Sequence, residues 1–212
     1  MNGVQFGNYH SWDDLELLLT SAEIGSAKPK YKEVEVEGTS VVLDYTEAFG
    51  EVKYSQRTLV FNFKTIVPQS QFKTVFSKVQ DALQGLRVDI SLDDDPDYYY
   101  SGRISVSPFT NEKNIGIISI ECKCEPWKYK KAETVVAQSV DGSATISLQN
   151  SRKRVVPTIT TTSEMTIAFD GYSGTYSAGT FIIPELELAQ GANSVTVTGT
   201  GNITFAYREG GL

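Results

Sequence analysis

Apolar and polar residues alternate with period two over most of the chain. Leu59, Phe61 and Phe63 oppose Val60, Asn62 and Lys64. Ile104 and Val106 oppose Arg103 and Ser105. Ile118, Ile120, Cys122 and Cys124 oppose Ser119, Glu121, Lys123 and Glu125. Side chains on a strand point alternately to opposite faces, so these segments predict half-buried strands of antiparallel sheets. Val34 and Val36, flanked by Glu33, Glu35 and Glu37, predict a strand with an acidic outer face, whose charges discourage stray edge pairing.

Two segments carry the helical period instead. Ser11 and Asp14 suggest a capping-box-like start for a short helix with Trp12, Leu15, Leu18 and Leu19 on one face. A longer helix opens at Ser70 or Gln71. Its apolar stripe is Phe72, Val75, Phe76, Val79, Leu83 and Leu86, and Gly85 supplies its stop.

The pattern changes near Glu125-Pro126-Trp127-Lys128-Tyr129-Lys130-Lys131. Aromatics, charges and both helices precede it; Thr, Ser, Gly and Val follow, without a helical period. Candidate strands there are 144–148, 155–161, 165–169, 180–183, 194–197 and 203–207. Turn signals at Asp141-Gly142, Asp170-Gly171, Gly191-Ala192-Asn193 and Gly199-Thr200-Gly201 separate them. Short strands at regular spacing predict a β-sandwich of jelly-roll or galectin-like type. The expected organisation is two domains, 1–130 and 131–212.

Composition narrows the function. The net charge of −7 argues against nucleic acid as the main partner, because phosphate binding needs a basic surface. No stretch approaches the roughly 18 apolar residues of a membrane span. The start, 1–10, lacks the layout of a secretory signal, so synthesis in a cytoplasm is expected. Cys122 and Cys124, two apart on a strand, point the same way in parallel, which suits buried thiols better than a disulfide.

A catalytic set is hard to assemble. His10 is the only histidine, so any Ser-His or Cys-His pair depends on it. Asp93-Asp94-Asp95-Pro96-Asp97 is the densest acidic cluster, but it lacks the glycine and distant glutamate of an EF-hand loop and reads as a solvated turn. Tyr98, Tyr99 and Tyr100 cannot all stack on one ligand, because Tyr99 faces away from the other two. Tyr172 and Tyr176 lie in a Gly/Ser-rich turn, Asp170 to Gly179, either as exposed lectin-like aromatics or flanking a hairpin. Arg152-Lys153-Arg154 is the one basic triplet, read as a solvated or intersubunit patch. No catalytic, cofactor-binding or metal residue is assigned, and a non-enzymatic protein is expected.

An ordered set of segments in the first domain carries a family resemblance. It begins at His10-Ser11-Trp12-Asp13-Asp14-Leu15 and continues through paired strands around Tyr31–Val36. Asp44-Tyr45-Thr46-Glu47-Ala48-Phe49-Gly50-Glu51-Val52-Lys53-Tyr54 and Arg57-Thr58-Leu59-Val60-Phe61-Asn62-Phe63 come next. After the helix come Gly102-Arg103-Ile104 and the closure from Ile118 to Tyr129, with its Cys-x-x-Pro-Trp-x-Tyr. This layout resembles the distal tail proteins of siphophages and prophages of Gram-positive bacteria. The resemblance implies a homohexameric ring built by the first domain, with a galectin-like second domain at its periphery. It also implies a place in the virion between the tail tube protein and the tail-associated tip protein, with receptor-binding or baseplate proteins as further candidate partners. DNA would pass through the ring without specific binding. The alternative is a carbohydrate-binding module of a surface adhesion apparatus.

Overall fold

The computed structural model describes residues 3–48, 50–112 and 115–212. Among the described residues the fold is mainly β, with 58% strand and one α-helix, in curled antiparallel sheets. It divides into two compact units, Met1–Lys128 and Tyr129–Leu212; the sequence had suggested a boundary at 130/131.

The first unit contains β1 (Val4–Phe6), β2 (Tyr9–His10), β3 (Leu17–Ile24), β4 (Glu33–Glu35), β5 (Val42–Asp44), β6 (Arg57–Thr65), α1 (Phe72–Leu83), β7 (Arg87–Leu92), β8 (Tyr98–Val106), β9 (Thr110–Glu112) and β10, which starts at Ile115 and ends at Lys130. Its main sheet runs β2-β1-β7-β8-β10-β6-β3, with β9 added on β10. Alternation sets the register: Phe63, Phe61 and Leu59 of β6 lie opposite Ile118, Ile120 and Cys122 of β10, and all six are fully buried. Phe6 meets Phe61 and Phe63 edge-on at 5.7 and 6.2 Å, an arrangement that favours the aromatic quadrupoles.

Helix α1 lays Val75, Val79 and Leu83 on this core. Phe72 and Phe76 flank Phe109, with ring centroids 5.6 and 5.8 Å away. Gly85 takes φ +77° just past the helix, the left-handed conformation that glycine adopts without steric cost. The predicted stripe overreached by one residue: Leu86 lies beyond the stop and is exposed.

The predicted short helix does not form. Residues 11–15 make a turn, Glu16 adopts φ +58°, and Leu17–Ile24 become strand β3 on β6. Ser11 accepts a hydrogen bond from the Val4 N–H (3.0 Å), and Asp14 accepts one from the His10 N–H (2.6 Å). A helix of two turns is marginal in water, whereas a strand ladder on an existing sheet satisfies the same backbone groups cooperatively.

The second unit holds β11 (Thr134–Asn150), β12 (Thr158–Thr161), β13 (Met165–Phe169), β14 (Tyr172–Tyr176), β15 (Gly179–Ile182), β16 (Gly191–Tyr207) and β17 (Gly210–Gly211). The order is β14-β13-β16-β12-β15, with β11 along the length of β16. Three sequence expectations change here. Asp141-Gly142 and Gly199-Thr200-Gly201 are not turns, because Gly142 pairs with Gly199 inside one ribbon that merges the predicted strands 194–197 and 203–207. Val155 makes only an isolated bridge with Leu188. The Gly/Ser-rich stretch after Asp170-Gly171 is strand β14, joined to β13 through φ +41° and +79°, the positive-φ pair of a tight hairpin turn.

The glycines bend the ribbon rather than end it. β13 pairs with the stretch of β16 before Gly201 and β12 with the stretch after it. Ile146, Ile167 and Val197 from one half and Ile159, Ile203 and Phe205 from the other line one core.

Candidate assembly surfaces

Strands β4 and β5 form a two-stranded sheet of their own, with Glu33 opposite Asp44, Val34 opposite Leu43 and Glu35 opposite Val42. Backbone bonding extends the pair through the Val36 N–H to the Val41 O. Directly opposed residues share a face, so Val34, Val36, Val41 and Leu43 form one side while Glu33, Glu35, Asp44 and Val42 form the other. The apolar side is uncovered: these four residues are 53%, 37%, 52% and 41% exposed. The sequence had shown the acidic face of the first strand. Paired strands were expected around Tyr31–Val36, but the second was not located; its signal was Val41-Val42-Leu43 after Gly38-Thr39-Ser40. On the acidic side, Thr46 holds the Asp44 carboxyl below its usual range through hydrogen bonds. A groove of about 490 Å³ at the hairpin base is lined by Tyr31, Tyr54, Asp44 and Glu47 among others.

The Asp93–Asp97 turn is tied into the fold. Asp93 accepts the Gly3 N–H at 2.7 Å and faces His10 Nε2 at 3.3 Å; Asp95 pairs with Lys128, which lies over the Tyr98 ring. His10 Nδ1 faces Asp13 at 3.0 Å. Its ring therefore sits between two carboxylates and has no serine or thiol beside it in these contacts. Among the described residues no group of three or more His, Cys, Asp or Glu is arranged to hold a metal ion.

Tyr100 points into the core beneath the Arg57 guanidinium, 5.4 Å from its ring centroid, and Tyr98 faces Lys128. Cys122 and Cys124 are fully buried free thiols. Burial, reinforced by Cys124 and Glu121, pushes Cys122 far above the ordinary thiol range. Burial likewise raises Cys124 to about 12, against the opposing pull of Arg57. A Cβ on Gly102 would lie 2.4 Å from Cys124 Sγ, so β8 can approach β10 this closely only with glycine there.

In the second unit, Tyr172 and Tyr176 are half-buried and joined hydroxyl to hydroxyl at 2.5 Å. Tyr172 stacks on Phe169 and Tyr176 on Phe181, at 5.0 and 4.6 Å. The basic triplet is engaged too: Arg154 pairs with Glu187 at 3.4 Å and Lys153 lies over Tyr129. Sequence reasoning missed Glu209. This carboxylate is 8% exposed and accepts bonds from Lys130 Nζ (2.5 Å), Thr134 Oγ1 (2.7 Å) and Ser151 Oγ (2.6 Å). Burial alone would raise its pKa, but these bonds and the Lys130 charge outweigh burial and hold it at about 2. Its partners lie up to 79 residues away, so no local pattern marks it.

No protein-family model and no curated protein matches this sequence. The fold does match. The chain superposes on the crystal structure of the SPP1 Dit protein, presented as a paradigm of the hub adsorption apparatus in phages infecting Gram-positive bacteria. The TM-score is 0.74 at 13% identity, covering 98% of this chain and 99% of that one. The chain therefore has the fold of that tail hub protein over its whole length.

Proposed function

We propose that the chain is a distal tail hub protein of a phage or prophage of Gram-positive bacteria, a non-enzymatic structural subunit of the virion. Six copies close into a ring through the first unit, join the tail tube protein to the tail-associated tip protein, and leave a channel for DNA. The second unit is a galectin-like sandwich at the periphery. The end-to-end likeness in fold to a tail hub protein carries this reading.

The β4–β5 hairpin adds a physical reason for self-assembly. An isolated two-stranded sheet is marginal in water, and this one leaves its apolar face bare. A closed ring joins two different patches of each subunit, and an amphipathic hairpin suits one of them. Burying Val34, Val36, Val41 and Leu43 against a neighbour turns Glu33, Glu35 and Asp44 toward water. Carboxylates facing a channel repel phosphate at short range and are screened beyond about 10 Å, which lets DNA pass without being held. The lectin reading is less well supported, since Tyr172 and Tyr176 are occupied in packing within the second unit.

Electron microscopy and native mass measurement test the proposal. Six-membered rings are expected from the full chain, alone or mixed with its tail-tube and tip neighbours. A chain that stays monomeric in that mixture, or that binds glycans as a monomer, overturns it.

A further inference from the structure

We propose that Arg57 is the centre of a binding site for a small organic acid, which it holds by the carboxylate, at the end of the first unit's core. The site goes beyond the ring reading and does not depend on it.

Strand β6 begins at Arg57, which extends the buried row of Phe63, Phe61 and Leu59 to the end of the strand. Arg57 is 5% exposed, and its Nε–H is buried without a hydrogen-bond partner. No ion pair among the described residues includes it. A guanidinium in a folded protein cannot neutralise itself by losing a proton, and a buried charge is costly unless paired and hydrogen-bonded. The Tyr100 ring, with its centroid 5.4 Å from the guanidinium carbon, offsets part of that charge. It supplies no lone pairs for the N–H donors.

A second cation in the same unit shows the arrangement complete. Tyr98 lies two residues from Tyr100 on β8, on the same face. Lys128 Nζ stands 4.2 Å from the Tyr98 ring centroid and also pairs with the Asp95 carboxylate. Arg57 and Tyr100 repeat the cation and the ring, and the carboxylate is what they lack.

The neighbours of Arg57 leave room for its side chain. Cys124 of β10 stands directly opposite, and Gly102 of β8 packs on Cys124 without a side chain of its own. Two small residues let the long arginine cross toward Tyr100. Burial raises the Cys124 thiol, and the Arg57 charge opposes that rise. A carboxylate suits this site because it is planar and its two oxygens match two N–H groups of the guanidinium fork. With Arg57 so little exposed, the ligand is a free acid of a few atoms and not a carboxylate carried on a folded surface. Gln56, next along the chain, is exposed and Ser55 is half-buried, so the acid enters at the strand end.

Thermal melts of the full chain test the site, with acetate, neutral acetamide and inorganic phosphate as probes at matched ionic strength. A ligand bound only by the folded chain raises the melting temperature progressively with its concentration. The expected result is such a rise with acetate, none with acetamide, and a smaller one or none with phosphate. Arg57→Met keeps an unbranched side chain and removes the fork, and it should lose the acetate response. If Arg57→Met fails to fold, the nitrogen–hydrogen NMR signal of the wild-type Arg57 Nε–H decides. That signal should move progressively with acetate and stay in place with acetamide. Equal stabilisation of wild type and Arg57→Met by acetate, or an Nε–H signal that acetate leaves unmoved, overturns the site. A response to acetamide as large as that to acetate, or to phosphate as large or larger, overturns the carboxylate assignment.

Discussion

Two antiparallel strand pairs in this molecule show the same alternation and opposite outcomes. In the β11–β16 ribbon, 17 residues on each strand pair in register, and the inward row of Ile146, Leu148, Val195 and Val197 is 5% exposed or less. In the β4–β5 hairpin, three residues pair with three, and none of the inward candidates is buried. An alternating pattern specifies that one face is to be covered; it does not specify which chain does the covering. The ribbon finds its cover in β12 and β13 of its own unit. The short hairpin has none among the described residues, and its valines and leucine form the face that the proposed assembly would cover.

The sharpest way to break this comparison is to make one substitution in both strand pairs. Val197→Lys buries a charge in the second-unit core and should unfold that unit, since an unpaired buried charge costs several kcal/mol, on the order of 4 or more. Val34→Lys places the same side chain on an exposed face and should shift stability by no more than about 0.5 kcal/mol while abolishing the proposed assembly. Thermal melts and light scattering on the two variants read both quantities. If Val34→Lys melted like Val197→Lys, the hairpin would be covered within its own chain.

A smaller effect is expected in the first-unit core. Replacing Cys122 and Cys124 together with Ala removes buried volume opposite Leu59 and Arg57, at a cost of about 1–3 kcal/mol. Assembly should survive at temperatures below the melt, and the native wild-type thiols should resist labelling. Rapid modification of both in folded protein would place them outside the core and remove the contrast with the exposed hairpin.

These outcomes also explain what could be read in advance. Strands β6, β8 and β10 and helix α1 were legible because one period runs through each and ends at a residue with a reason to end it, such as Gly85. The segment 12–19 misled because Trp12, Leu15, Leu18 and Leu19 fit a helical stripe, while the deciding event, pairing of Leu17–Ile24 with β6, joins residues 35 to 48 positions apart. Gly142 and Gly199 were read as turns because glycine marks both a chain reversal and a bend in a continuous strand. Only their mutual pairing tells the two apart. The candidate surfaces were half legible: the acidic row of Glu33, Glu35 and Glu37 is a local pattern, but its apolar reverse is built jointly by two strands.

Glu209 sharpens the comparison from the other end, since this part of the second unit is held by a polar network and not by apolar cover. Lys130, Thr134 and Ser151 converge on its carboxylate, and the neighbouring Lys130 N–H donates to Glu209 O at 3.1 Å. The folded pKa of about 2 lies below the ordinary value of 4.5, so the folded state binds this proton more weakly than the unfolded chain does. The stabilisation is therefore complete above about pH 4.5 and is lost as the pH falls from there through about 2. Glu209→Gln removes the titrating group. At neutral pH it should cost on the order of 1 kcal/mol, because the Lys130 ammonium and two hydroxyls lose a charged acceptor. Its more specific consequence is a flatter acid limb: melts between pH 5 and pH 2 should converge, with wild type losing its advantage as the carboxylate protonates. If the two proteins instead lost stability in parallel over that interval, the network would not be what holds Lys130, Thr134 and Ser151 around this carboxylate.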